Sequence, residues 1–330
     1  MKKIITMVMC LTILLFGCVQ EGQFVGNTTE DNLIVVGFSQ VGAESEWRVA
    51  NTESIKAALS EENGYQLIYD DARQEQENQI RAIRTFIQQG VDYIVFSPKV
   101  ETGWNSILLE AKAANIPVIV IDRFIELEDE NLYKAYIGSN FYKEGEIAVK
   151  WLEKYLEEQG REDDSINIVH IQGTIGSTAQ IGRTLAIENA IKIHSNWEII
   201  AQESGEFTKA KTYEVMGSIL EHTKDIDVVY CENDGEALGA IAAMKEAGLN
   251  CNAEDGVIVI SFDATRLGLQ YCLEGKIALD VECNPLQGPY VDEVIKQLQK
   301  GKPIKRVQYI DETHFDFRTI TPEIIESREY

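Results

Sequence analysis

From residue 33 onward the chain alternates short apolar runs with longer amphipathic stretches, and this alternation limits the folds that it can form. The apolar runs have the length of buried strands and lie at 33–38, 65–70, 93–97, 116–122, 134–139, 166–172, 197–204, 227–231, 257–262, 276–282 and 306–311. The stretches between them have helical periodicity and lie at 45–63, 74–90, 104–114, 141–158, 178–194, 208–222, 234–247, 264–274 and 287–300. Strands that alternate with helices in this way predict an α/β fold built on doubly wound parallel sheets.

The strand–helix pattern runs through one set of elements and then restarts near residue 140. The 330 residues are enough for about two domains with cores of their own. We therefore expect two similar lobes. Because sheets of this kind bind ligands beyond the carboxyl ends of their strands, two facing sheets would enclose one cleft.

The first residues have the features of a targeting segment. Two lysines precede an apolar run at 4–16, which is too short to span a bilayer but has the size of a signal-peptide core. The run ends in LFGC (15–18), which resembles a bacterial lipobox and predicts lipidation of Cys18. We thus expect a signal peptide at 1–17 and a polar tether at 18–32, although an ordinary secretory signal with a chance cysteine remains an alternative.

Composition narrows the classes of ligand. The formal net charge of −24 disfavours nucleic acid as a partner, because phosphates would be repelled. The cysteines that follow the tether, Cys231, Cys251, Cys272 and Cys283, contain no CxxC spacing, so no metal site is expected. A disulfide between two of them stays open at this point.

Polar side chains follow several predicted strands at the point where each strand ends. They include Asp122, Arg123, Asn140, Asn233 and Asp263, together with the loops at 40–48 and 173–183. Carboxylates accept hydrogen bonds from hydroxyls, an arginine fork donates two, and an asparagine amide can do both. Such a set suits a ligand with many hydroxyl groups.

Each of these residues also has a structural interpretation. Asp122 and Arg123 can form an ion pair at the end of a strand, and Asn233 can cap the helix that follows. Trp47 can cover the apolar face of a sugar ring, but a tryptophan at the start of a helix is also a common core residue. The sequence leaves these alternatives open.

Motifs of enzymes are weak in this chain. GTIGST (173–178) follows a strand and opens a helix, but it matches neither common phosphate-binding loop. The chain has no G-x-S-x-G or H-E-x-x-H motif. Glu44 and Glu46 lie in one predicted cleft loop, so a glycosidase remains a weak alternative.

Several segments resemble the periplasmic pentose- and hexose-binding proteins of ABC transporters, and among them the galactofuranose binders. They are GFSQVGAESEWR (37–48), QEQENQIRAIRTFIQQGVD (74–92), TGW (102–104), VIDR (120–123), QGTIGSTAQIGR (172–183), ESGEFTKAK (203–211), END (232–234), ISFDA (260–264) and ECNPLQGP (282–289). The resemblance extends in order over residues 33–300. It implies the type I periplasmic-binding-protein fold, in which two lobes are joined by a three-segment hinge.

The resemblance also implies a function and a set of site residues. The chain would be a non-enzymatic, extracytoplasmic binding protein that needs no cofactor, captures a monosaccharide and delivers it to a permease and its ATPase. Together with the lipobox at 15–18, this predicts a lipoprotein held at the membrane. The implied ligand-binding residues are Glu44, Trp47, Arg48, Asp122, Arg123, Asn140, Arg183, Asn233 and Asp263. The implied lobes are 33–138 plus 283–309 and 139–282 plus 310–330.

Departures from the galactofuranose binders leave the sugar open. Gly182 and Glu232 stand where those proteins have an acid and a histidine, and Ala264 replaces a glycine. Another pentose or hexose is therefore the alternative ligand. A receptor that presents sugar to a membrane sensor kinase is the alternative role, and a DNA-binding repressor is disfavoured because a signal segment replaces the helix-turn-helix.

Overall fold

A computed structural model describes residues 33–330, and within this range the predicted alternation forms two six-stranded sheets. The elements of the first half, in chain order, are β1 (Ile34–Gln40), α1 (Glu46–Ala58), β2 (Tyr65–Asp71), α2 (Gln76–Gln89), β3 (Tyr93–Phe96), α3 (Asn105–Ala113), β4 (Val118–Asp122) and β5 (Ala135–Gly138). Those of the second half are α4 (Phe141–Glu158), β6 (Ile166–Gln172), α5 (Thr178–Ile193), β7 (Trp197–Ser204), α6 (Lys209–His222), β8 (Val228–Cys231), α7 (Asp234–Glu246), β9 (Ile258–Asp263), α8 (Arg266–Leu273) and β10 (Leu279–Glu282). The chain ends with α9 (Gly288–Gln299), β11 (Val307–Tyr309), β12 (His314–Asp316) and α10 (Pro322–Glu326).

The two sheets have the same strand order. The first is β11-β5-β4-β3-β1-β2 and is parallel throughout, and the second is β12-β10-β9-β8-β6-β7 with only β12 antiparallel. Strand order reverses beside β1 in the first sheet and beside β6 in the second. In doubly wound sheets ligands bind at such a switch point, so each lobe presents one to the cleft.

Helices cover both faces of each sheet. Alternate residues of β4 show this, because Val118 and Val120 pack against α2 and α3, whereas Ile119 and Ile121 pack towards α1 and α9. In the second lobe α4 and α5 cover one face and α6, α7 and α8 the other. Strands buried on both faces are continuous apolar runs, which is the sequence pattern from which they were predicted.

The chain passes from one sheet to the other three times, and residues 33–330 form one compact unit. The crossings join β5 to α4, β10 to α9, and β11 to β12. The predicted fold of two lobes with a three-segment hinge is thus confirmed. The lobe boundaries given above stay a prediction.

Two predicted segments differ from the structure. The helix expected over 45–63 ends at Ala58, and a short 3₁₀ turn (Glu61–Asn63) follows before Gly64 adopts a left-handed φ of 91°. The run at 306–311 forms only the three-residue β11, and β12 and α10 were not predicted. These last elements are too short for their periodicity to be recognised.

Within residues 33–330 no helix combines the length and apolar character that a membrane span requires. The predicted signal peptide, tether and Cys18 lie outside the described residues.

Candidate ligand-binding cleft

A cavity lies where the carboxyl ends of the two sheets face each other. Eight of the nine residues predicted to bind ligand line it, namely Glu44, Trp47, Arg48, Asp122, Arg123, Arg183, Asn233 and Asp263. Its free volume is about 20 Å³, roughly the space of one water molecule. A monosaccharide therefore enters only if the lobes separate or side chains move.

Two aspartates occupy equivalent positions in the two lobes. Asp122 is the last residue of β4 and Asp263 the last residue of β9, and these strands have the same place in their sheets. Both adopt a positive φ, 62° for Asp122 and 108° for Asp263. Aspartate tolerates this region better than most residues, and such strain concentrates at binding sites. Each lobe thus places the aspartate at the end of this strand on the cavity wall.

A buried network of charges fills the first-lobe side of the cavity. Arg48 donates from Nε to Glu44 Oε1 at 3.0 Å and from Nη1 to Asp122 Oδ2 at 2.6 Å. Ser97 Oγ donates to the same Asp122 oxygen at 2.8 Å. Arg123 Nη2 lies 3.7 Å from Glu44 Oε1, and its Nε lies 3.8 Å from Asp122. The main partner of Asp122 is therefore Arg48, which lies far from it in sequence, rather than the adjacent Arg123.

Two polar atoms of this network are buried without a hydrogen-bond partner among the described residues. They are Glu44 Oε2 and Arg123 Nε. Burial would raise the pKa of Glu44, but the charges of Arg48 and Arg123 hold it below its ordinary value. Burial and the nearby Arg48 lower the pKa of Arg123 to about 10, so both groups are charged at neutral pH. One free acceptor and one free donor on the cavity wall match what a ligand hydroxyl can both donate and accept.

Arg183 dominates the second-lobe side. Its Nε donates to Glu144 Oε2 at 2.8 Å, its Nη1 donates to the backbone oxygen of Glu232, and Asp263 Oδ1 lies 3.8 Å away. Burial raises the pKa of Asp263 well above its ordinary value, although Arg183 opposes the shift. The raised pKa favours the protonated form of Asp263, which can both donate and accept a hydrogen bond.

Aromatic rings from both lobes form the apolar part of the cavity. Trp47 is 3% exposed, and its indole Nε1 donates to the backbone oxygen of Cys283 at 2.5 Å. Phe141, Phe207 and Ala179 complete one small apolar cluster with these two residues. The sequence reasoning missed Phe141, Phe207 and Cys283 as cavity residues, although the segments 203–211 and 282–289 carried the family resemblance.

Asn233 has the capping role that the sequence left open, and it also lines the cavity. Its Oδ1 accepts from the backbone N–H of Glu236 at 2.8 Å, and its Nδ2 donates to the backbone oxygen of Phe207 at 3.2 Å. The cap begins α7, and the amide holds the loop that carries Phe207.

The structure does not bring Asn140 to the other predicted residues. Its Oδ1 accepts from the backbone N–H of Lys143 and caps α4. Asn140 lines a second cavity of about 130 Å³ beside the crossing segments, here called the hinge cavity, which also includes Glu144 and Glu312.

The departures from the galactofuranose binders do not line the ligand cavity. A Cβ at Gly182 would lie 2.7 Å from Phe141 Cβ, so α5 packs too closely on α4 for a side chain. Glu232 is fully buried and accepts from Thr184 Oγ1 and Gly173 N. Ala264 has a φ of 52°, which explains why a glycine suits this position in relatives.

The cysteines of the described residues carry free thiols, namely Cys231, Cys251, Cys272 and Cys283. The disulfide that the sequence left open is therefore not formed in this structure.

Residues 36–303 match the family model described as a periplasmic binding protein domain, and the chain belongs to this family. Proteins of this family bind solutes outside the cytoplasm and are not enzymes.

Within this family the chain is similar to proteins named for binding particular sugars. The chain is 39% identical to the galactofuranose-binding protein of Escherichia coli (strain K12) over 272 residues, which cover 81% of this chain and 83% of that protein. A Mycobacterium smegmatis protein in complex with β-D-fucofuranose has a TM-score of 0.82 and 41% identity, and the match covers 87% of this chain and 92% of the other. The binding component of the arabinose ABC transporter from Shewanella sp. ANA-3, bound to α- and β-L-arabinofuranose, has a TM-score of 0.81 and 36% identity, with 90% and 99% covered.

Proposed function

We propose that this protein captures a monosaccharide in its five-membered furanose form, galactofuranose or a close relative, and delivers it to an ABC importer without converting it. The observation that carries the proposal is the cleft itself. Buried carboxyl and guanidinium groups from both lobes meet there beside the indole of Trp47, and Glu44 Oε2 and Arg123 Nε lack partners among the described residues. Relatives at 36–41% identity named for furanose binding support the choice of ring.

Calorimetric titration with galactose, arabinose, ribose and glucose tests the sugar. We expect galactose or arabinose to bind, and methyl pyranosides of the same sugars to fail, because a methyl pyranoside cannot convert to the furanose ring. Binding of a locked pyranoside with equal affinity would refute the furanose proposal. Recovery of the sugar unchanged after prolonged incubation tests the absence of turnover.

Delivery to a permease and its ATPase is the expected use of the bound sugar. The supporting likeness is to the binding component of an arabinose ABC transporter. Deletion of the gene should abolish uptake of the bound sugar, whereas loss of a sugar-dependent transcriptional response with normal uptake would favour the sensor-kinase role.

We further propose that Cys18 is acylated and becomes the first residue of the mature protein. The LFGC motif after an apolar run supports this proposal. A single acyl chain gives only marginal retention, so we expect more than one on a membrane-bound protein. Intact-mass analysis of protein from membranes should find the modified Cys18, and an unmodified Cys18 or cleavage elsewhere would contradict it.

A further inference from the structure

The three crossing segments meet at one carboxyl group, that of Glu312. Ser139 in the first crossing donates from Oγ to Glu312 Oε1 at 2.5 Å. The backbone N–H of Asn284 in the second crossing donates to the same oxygen at 2.8 Å. Glu312 itself belongs to the third crossing, between β11 and β12. The side chain of Glu312 thus connects all three crossing segments of the hinge.

Glu312 faces a second buried acid, Glu144 on α4. A carboxyl oxygen of Glu144, a carboxyl oxygen of Glu312 and the Sγ of Cys283 lie within 4.8 Å of one another. Glu144 is 2% exposed; its Oε2 pairs with Arg183, but its Oε1 is buried without a hydrogen-bond partner among the described residues. Both oxygens of Glu144 therefore have defined surroundings: one faces the ligand-binding arginine and the other is free to accept from the hinge.

The charges around the pair disfavour two carboxylates. Two buried like charges at this separation repel, and one of the groups keeps its proton. Burial, reinforced by Glu144, raises the pKa of Glu312 to about 9. Burial also raises the pKa of Glu144, but Arg183 opposes that shift, so the proton resides on Glu312. The other ionisable groups near the pair among the described residues include Arg183, Asp263, Cys283, Tyr136, Tyr230, Lys143, Tyr309 and Asp311.

We propose that Glu144 and Glu312 share one proton and act as positioning residues that hold Arg183 in the ligand site and fasten it to the hinge. The proton on Glu312 satisfies Glu144 Oε1, and Glu144 Oε2 then holds Arg183 against the cavity. Because Glu312 contacts every crossing segment, the ligand site and the hinge share this link. The effect of the Glu144–Glu312 pair on sugar binding rests on the proposed function, whereas the shared proton does not.

Thermal melting of the ligand-free protein between about pH 5 and pH 9 tests the shared proton. The unfolded chain releases the proton of a glutamate near pH 4.5, but the folded protein keeps it up to about pH 9, so wild-type stability falls over this range. In E312Q an uncharged amide replaces the acid and this loss disappears. We expect wild type to lose several degrees of Tm relative to E312Q as the pH rises. E146Q, on the same helix but outside the pair, is the control and should follow wild type.

Titration with D-galactose tests the positioning role. E144Q should weaken binding at least tenfold, because Arg183 loses its charged partner. Wild-type affinity should fall several-fold as the pH rises through 9 and the second carboxylate forms. E312Q should show a clearly smaller fall, which leaves only the contribution of Arg123, whose pKa is about 10.

The outcomes separate the two proposals. Equal pH slopes of Tm for wild type and E312Q would overturn the shared proton, and an unchanged affinity of E144Q would overturn the positioning role. If no sugar binds wild type, the proposed function fails, while the melting comparison still decides on the proton. If E312Q does not fold, E144Q replaces it in the melting comparison. Without the charge of Glu144 the pKa of Glu312 should fall, so E144Q should lose less Tm than wild type and E146Q as the pH rises, and an equal loss would overturn the shared proton.

Discussion

At the scale of the residue, Trp47 is the aromatic group most directly tied to both the cleft and the hinge. Its ring lies 4.7 Å from the Arg48 guanidinium, and its indole N–H bonds to Cys283 in the second crossing. Trp47→Ala should weaken sugar binding by about 2 kcal/mol, roughly 30-fold, as buried aromatic anchors commonly do. Calorimetric titration measures the change.

Trp47→Phe is the matched control for that substitution. It keeps an aromatic face but removes the hydrogen bond to the Cys283 oxygen, so it should retain most of the affinity if ring contact dominates. Normal binding by Trp47→Ala would show that the first loop does not contact the sugar.

Asp263 tests whether charge or hydrogen bonding matters on the second-lobe side. Asp263→Ala should cost more than Trp47→Ala, because it leaves buried hydroxyls of the ligand unpaired in a closed site. Burial raises the pKa of Asp263, and an asparagine amide offers a hydrogen-bond donor and acceptor at the same place without a charge. Asp263→Asn should therefore bind considerably better than Asp263→Ala. Equal losses for the two variants would mean that a carboxylate charge is required.

At the scale of the element, the packing of α5 on α4 depends on Gly182. A Cβ there would lie 2.7 Å from Phe141 Cβ and from the backbone nitrogen of Tyr142, which cannot move without shifting the start of α4. Gly182→Ala should destabilise the protein by about 1–3 kcal/mol through overpacking, and it should also weaken sugar binding because Phe141 lines the cavity. Denaturant unfolding and titration measure the two effects.

Gly217→Ala on α6 should have the opposite effect on stability. No atom lies within 4 Å of a Cβ at this helical position, so the exchange should stabilise the protein by about 0.5–1 kcal/mol. A loss of stability in Gly217→Ala, or none in Gly182→Ala, would contradict this packing account.

At the scale of the whole molecule, the small free volume of the ligand cavity means that a sugar enters only if the lobes separate or side chains move, and we expect the lobes to move. Two lobes joined by three crossing segments can open and close about them, and a ligand bound between them favours the closed state. Titration with the bound sugar should raise Tm, and small-angle scattering should show a smaller radius of gyration. A rise in Tm without compaction would contradict hinge closure, and a sugar that does not bind serves as the control.

Much of this arrangement follows from the sequence alone. Central strands buried on both faces are continuous apolar runs, so they could be located from hydrophobicity. The more exposed edge strands β2 and β7 could be located from their place in the alternation with helices. Parallel strands place their carboxyl ends together, and this rule by itself predicts Asp122, Asn233 and Asp263 as cavity residues. Loop position suggests Glu44 and Trp47, and the family resemblance assigns them to the ligand and adds Arg48 and Arg183.

The tertiary structure decided which of these groups contact one another. Asn140 and Asn233 both follow strands and cap helices, yet only Asn233 lines the ligand cavity. Asn140 lies beside the crossing segments of the hinge instead. Glu312 meets Glu144 only because the chain crosses between the sheets a third time, over a separation of 168 residues that no local pattern records. Sequence periodicity fixes which face of an element is buried, since that depends on near neighbours in the chain. Contacts between loops of different lobes depend on how the finished sheets face each other, and only the folded chain determines that.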